Sequence, residues 1–229
     1  MTASALVASL ERIGQTQAHL PGPVSVLLAL VAAGATLVPW LWPVTRHLTV
    51  MAHEGAHATM GSAMGHKIDG IEFKLNATGA THHSGSGGGA VGSFAITFVG
   101  YLGPSAFGLG AAELIRLGHI VAVLWIVLAG LLAILLSLRK SFGVVTVILA
   151  LALLFLVAGF ATVQVQVLTA YAIAWFLLVS NLKIIRIRGK NASDAGKLRG
   201  MTRIPAGFWS NLWLLGSAAA LVFGATLLV

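Results

Sequence analysis

The sequence predicts an all-α polytopic membrane protein of about six to seven transmembrane helices, with a small β-hairpin after the second helix. Three observations carry this. Of the 229 residues 58% are hydrophobic and only 9% charged, with a mean hydropathy of +0.94, far outside the range of soluble chains. Apolar runs of about 18 residues or more, enough to cross a bilayer, recur along the chain. After Gly65 the pattern changes to strict alternation, with Ile71, Phe73, Leu75 and Ala77 set against Glu72, Lys74, Asn76 and Thr78, which is the period of a strand.

The charge balance fits a membrane. A formal charge of +8 would suggest nucleic acid in a soluble protein, yet seven of the fourteen Lys and Arg fall between Lys183 and Arg203. That cluster reads as a cytoplasmic loop, 183–206, facing anionic lipid. The bilayer is therefore the expected partner, and nucleic acid is not. There is no cysteine, so any bound metal must use His, Asp, Glu or water.

In chain order, residues 1–20 read as an interfacial segment, with Leu6, Leu10 and Ile13 at helical spacing. Lacking a basic n-region and a small-residue cleavage site, this segment is not expected to be a removable signal peptide. Val24 to Leu41 is the first span, closed by Trp40, Trp42 and Pro43. Val44 to Met64 is a polar helix that can sit in a membrane only when other helices surround it, and its small residues Ala56, Gly61 and Ser62 would let neighbours approach. The hairpin and a Gly-rich loop take up 66–89, with Thr81 to Gly89 read as mobile. Further spans follow at about Ala90 to Ile115, Ile120 to Leu138, Phe142 to Phe160, Val163 to Leu182 and Phe208 to Val229. Within the first of these, Gly100-Tyr101-Leu102-Gly103-Pro104-Ser105 interrupts the helix and reads as a packing kink. All of this makes one membrane-embedded domain, 1–229.

The chemistry concentrates in the polar helix, at His53-Glu54-Gly55-Ala56-His57. Positions i and i+4 share a helix face, so His53 and His57 can point at one metal ion while Glu54 sits beside the open coordination position. Zinc takes neutral imidazole ligands and keeps a place for water, whose proton an adjacent carboxylate can accept.

From His53-Glu54-Gly55-Ala56-His57-Ala58 through Gly65, the Ile71 to Ala77 strand and Gly79 to Gly103-Pro104, the sequence resembles the site-2 protease family of intramembrane zinc metalloproteases. It is most similar to the compact bacterial members without a PDZ domain. The resemblance implies a Zn2+ cofactor, a transmembrane protein as substrate, and regulated intramembrane proteolysis with Glu54 as general base. It also implies an aspartate as third ligand, for which Ser193-Asp194-Ala195-Gly196 is the nearest counterpart, with Asn181 or Asn191 upstream and no proline. Substrate contact is expected at Ile71, Phe73 and Leu75, whose strand can pair with an unwound peptide, and at Gly103 and Pro104. The expected location is the bacterial cell membrane, with the N-terminus and the 183–203 loop cytoplasmic.

Charge and topology address the third ligand separately. A carboxylate together with a hydroxide neutralises the ion in a poorly solvated place. Of the six acids (Glu11, Glu54, Asp69, Glu72, Glu113 and Asp194), Asp194 is favoured on position. Asp69 and the histidines His66, His82 and His83 remain alternatives. Two other functions also stay open: a membrane metal transporter or sensor, and a catalytically silent relative of the proteases.

Overall fold

The structure is a computed structural model, and it describes residues 3–74, 76–85, 87–139, 142–188 and 193–229. Ten helices and one hairpin are seen among these residues: α1 (Ala3–Glu11), α2 (Gly22–Leu37), α3 (Trp42–Ala63), β1 (Lys67–Phe73), β2 (Gly79–Ser84), α4 (Gly89–Val99), α5 (Gly103–Arg116), α6 (Ile120–Ser137), α7 (Phe142–Phe160), α8 (Val163–Arg188), α9 (Ser193–Thr202) and α10 (Ala206–Leu228).

Four of these helices, α6, α7, α8 and α10, are long and apolar enough to cross a membrane on their own. The pairs α2–α3 and α4–α5 are bent by 104° and 73°, which raises the count to six if each pair is one span. The segments expected as crossings at Val24–Leu41 and Val44–Met64 are α2 and α3, joined by a sharp turn. Pro39 explains the turn. It biases the residue before it away from helical geometry, and Val38 is indeed extended, with ψ 123°. Pro43 then opens α3, a position where its missing N–H costs nothing. Between α4 and α5, Pro104 cannot continue a helix that holds the Gly100 carbonyl four residues back, so the interruption expected as a kink is a break.

The axis of the bundle is α8, which packs on α2, α5, α6 and α10. Close approach rests on small residues: a methyl group at Gly108 would lie 2.9 Å from Leu178 Cγ, and one at Gly224 would lie 2.6 Å from Leu178 Cδ1. The polar helix α3, expected at the centre, lies between α4, α5 and α8 on one side and the hairpin on the other.

Both ends of α8 are marked by contacts. Near its start, Gln166 donates to Ser9 Oγ (3.2 Å) and Ala158 O (2.6 Å) and accepts from Arg12 Nη1 (3.2 Å). At its far end, Arg188 donates to Ala77 O (2.7 Å) and Asn76 O (3.0 Å) in the hairpin turn. The N-terminal segment and the hairpin therefore lie at opposite ends of α8.

The hairpin is antiparallel, pairing Ile71 with Thr81 and Phe73 with Gly79. The strand expected from 71 to 77 is found four residues earlier. Ala77 is in the turn with φ 49°, and Leu75 lies outside the described residues. Thr81 to Ser84, expected as mobile loop, is β2. The second edge of β1 is covered as well: Ile71 bridges to Leu138, and Arg139 N donates to Ile71 O at 3.0 Å. Ile71 and Phe73 are buried in a cluster with Met51, Ile134 and Trp213.

Candidate metal centre

On α3 the one-turn spacing brings His53 Nε2 and His57 Nε2 to 3.2 Å from each other. Asp194, in the first turn of α9 just after the far end of α8, places its Oδ2 at 3.2 Å from His53 Nε2 and 3.3 Å from His57 Nε2. His57 and Asp194 are buried, and His53 is nearly so. These three form the one group of metal-ligating side chains found among the described residues.

Tautomers show what the cluster needs. His57 Nδ1 is 2.7 Å from the carbonyl of Ile96, which can only accept, so in the neutral ring Nδ1 carries the hydrogen and Nε2 a lone pair. That lone pair faces a carboxylate oxygen and a second imidazole nitrogen. Three ligand atoms that converge on one point are the arrangement a bound cation takes. Donors about 2.0–2.1 Å from a tetrahedral zinc lie about 3.3 Å apart, which matches all three sides of this triangle. The residues present fit the group.

The break between α4 and α5 makes room for the cluster. A methyl group at Gly100 would overlap His57 Nε2 and Cε1 and lie 2.8 Å from His53 Cε1, and one at Gly103 would overlap Ala56. Only glycine lets this backbone pass so close. Beside Gly100, the ring of Tyr101 makes an edge contact with His53, with centroids 4.5 Å apart, and stacks on Trp213 at 4.7 Å. Asn181 Nδ2 lies 2.8 Å from Tyr101 O, 2.8 Å from Ser105 Oγ and 2.9 Å from Ser217 Oγ, tying α8 to the break and to α10. Asn191, the other asparagine considered, lies outside the described residues.

Glu54 is buried on the hairpin side. Thr81 Oγ1 donates to its Oε2 at 2.7 Å and lies 3.2 Å from its backbone oxygen. A methyl group at Gly79 would be 2.5 Å from Glu54 Oε1, so β2 is shaped around this carboxylate. A cavity of about 670 Å³ joins these groups, with His53, Glu54, His57, Asp194, Tyr101 and Arg188 in its wall and residues 78–83 along one side.

The other ligand candidates do different things. His66 Nε2 is 2.7 Å from Gly87 O, half-exposed His82 is 3.7 Å from Glu72, and Asp69 is at an irregularity of β1. Burial pushes the His83 imidazole below its ordinary pKa, with His66, His57 and Lys197 adding to the effect against Asp69.

Of the residues expected to contact substrate, Ile71 and Phe73 are buried in the core, with β2 along one edge of the strand and Leu138 and Arg139 against the other at Ile71. Gly103 and Pro104 are buried at the start of α5. Sequence reasoning did not find Thr81, Gly79 or Arg188 as partners of the site. Gly100 and Tyr101 entered it only as an interruption of a helix.

A helical membrane bundle that buries two histidines and an aspartate around one point, with a glutamate alongside, defines a membrane protein with a candidate metal centre. The chain belongs to the Peptidase M50B-like family, part of the site-2 proteases, whose family model matches residues 26–224. No curated protein and no solved structure matches it.

Proposed function

We propose that this chain is a zinc metalloendopeptidase that cuts peptide bonds within the transmembrane segments of membrane-bound substrates, working from one domain over residues 1–229. The observation that carries the reading is the triangle of three acceptors at 3.2–3.3 Å with the Glu54 carboxylate beside it. In this reading His53, His57 and Asp194 hold the metal. When bound, zinc supplies the Lewis acidity that polarises a carbonyl and acidifies water. Glu54 is the general base: it takes the proton of the attacking water and delivers it to the departing amine nitrogen. Thr81 occupies one oxygen of that carboxylate, and Gly79 leaves room at the other.

A transmembrane helix keeps its amides in its own hydrogen bonds, so it must unwind before cleavage. An unwound segment can pair with an open strand edge. In this reading the edge is that of β2, because residues 78–83 of β2 and its turn line the metal cavity, whereas the outer edge of β1 is bonded to Leu138 and Arg139 at Ile71. The centre lies at the end of the bundle that carries Arg139, Arg186, Arg188, Lys197 and Arg199, which the positive-inside rule assigns to the cytoplasm. In this reading the chain works in a bacterial cell membrane.

The test compares wild type with Glu54→Gln, purified in detergent, on a peptide containing a transmembrane segment. Wild type is expected to cleave, and the variant to keep its metal while its rate falls by about 10²-fold or more. Metal movement into proteoliposomes by both proteins, with no cleavage by either, would replace this reading with a transporter.

A further inference from the structure

We propose that Tyr101 is a catalytic residue whose hydroxyl donates a hydrogen bond to the substrate carbonyl oxygen as negative charge builds there. The inference rests on the peptidase reading and adds a residue to it.

The ring of Tyr101 is fixed from several directions. It stacks on Trp213 with centroids 4.7 Å apart and 28° between planes, and it meets His53 edge-on at 4.5 Å and 71°. Trp213 is itself fully buried and donates its indole N–H to Phe98 O at 3.0 Å. The Tyr101 carbonyl is held by Asn181. Only 6% of the residue is exposed, and it lines the cavity that contains the metal cluster. Buried tyrosines usually find a partner for the O–H group. Among the described residues the Tyr101 hydroxyl has none, and Asp194, Arg188 and Glu54 are the charges acting on it. An aromatic ring locked against a proposed metal ligand, with a free donor in the cavity, is arranged for a group that arrives with the substrate.

The other donors in the lining are mostly engaged. Thr81 is held by Glu54, Thr97 donates to Ser93 O, Thr78 to Asn76, and Arg188 to the hairpin turn. Lys197 is 3.8 Å from Asp194 Oδ1 and well exposed. Ser93, His82 and His83 remain, but none of them makes the ring contact with His53 that Tyr101 makes.

The step balances without a proton leaving the phenol. Water oxygen bonds to the carbonyl carbon, the π pair moves onto the carbonyl oxygen, and Tyr101 donates a hydrogen bond to it. As the C–N bond breaks, that pair returns to the carbonyl and Glu54 protonates the amine. A donor aimed at such an oxygen is worth more in the transition state than in the ground state.

The test is Tyr101→Phe, which keeps the stacking and removes the hydroxyl. Three quantities are read on the purified, metal-containing protein: zinc per chain, kcat and KM on a transmembrane peptide, and Kd for a phosphinic peptide that mimics the tetrahedral carbon. Zinc and KM are expected to hold while kcat falls by about 10²-fold and the phosphinate binds more weakly by a similar order. Unchanged kcat and phosphinate affinity in Tyr101→Phe would overturn the proposal. So would loss of zinc together with rate, since the ring environment would then be holding the site together. If Tyr101→Phe cleaves like wild type while Glu54→Gln does not, this inference fails alone. If zinc-loaded wild type cleaves nothing, the peptidase reading fails and takes this inference with it.

Discussion

Thr81 donates its hydroxyl to Glu54 Oε2 across 2.7 Å, so a strand of the hairpin holds a carboxylate that α3 supplies. The two residues are 27 positions apart in the chain, and their bond sets the carboxylate against the metal-side cavity. A hydrogen bond to a charged group contributes about 1.5–3 kcal/mol, so Thr81→Val is expected to lower kcat by about tenfold or more. Thr81→Ser should restore most of the loss. Steady-state kinetics with metal content measured in parallel checks this, and zinc should not change in either variant.

Two glycines abut different parts of the proposed site, Gly100 the histidines and Gly79 the glutamate. At Gly100 a methyl group overlaps His57 Nε2, and at Gly79 it meets Glu54 Oε1 at 2.5 Å. Gly100→Ala is therefore expected to lose zinc and activity together, whereas Gly79→Ala keeps zinc and loses activity. Equal zinc content and equal activity in both variants would contradict the geometry of the break and of β2.

Phe73 is a core residue, 3% exposed, with a methyl group at Gly143 falling 2.8 Å from its Cβ. Phe73→Ala is expected to destabilise the protein by about 3–5 kcal/mol, as for other buried aromatics. It should leave the choice of cleavage site in the substrate unaltered. A thermal melt in detergent and mapping of the cleaved peptide bond measure the two effects separately.

The sequence shows some parts of this protein more clearly than others, for physical reasons. His53, Glu54 and His57 stand out because helical spacing alone puts them on one side of α3. The spans α6, α7, α8 and α10 stand out because hydropathy sums over a window. Direction does not sum in that way. Pro39 turns the chain by more than a right angle between α2 and α3, yet hydropathy reads straight through it, so the bend is not legible in the sequence. Thr81 to Ser84 lacks strand character of its own and becomes β2 by pairing with β1. Alternation located a strand near 71, but its start at Lys67 precedes the regular pattern. Asp194 was one carboxylate among several, and what draws it to 3.2 Å from His53 is the reach of α8 back to the hairpin end. Gly100 and Tyr101 could be read only as a break, because what they touch lies on α3 and α10.

The central claim is that His53, His57 and Asp194 hold one zinc ion. The measurement that tests it most directly is metal stoichiometry of the purified 229-residue chain by mass spectrometry, for wild type, for alanine at each of the three positions, and for Glu54→Gln. The account predicts one zinc per chain in wild type and in Glu54→Gln, and loss of zinc in each of the three alanine variants, because removing one donor weakens the whole site. Wild-type occupancy in Asp194→Ala, or no metal in the wild-type protein, would contradict it.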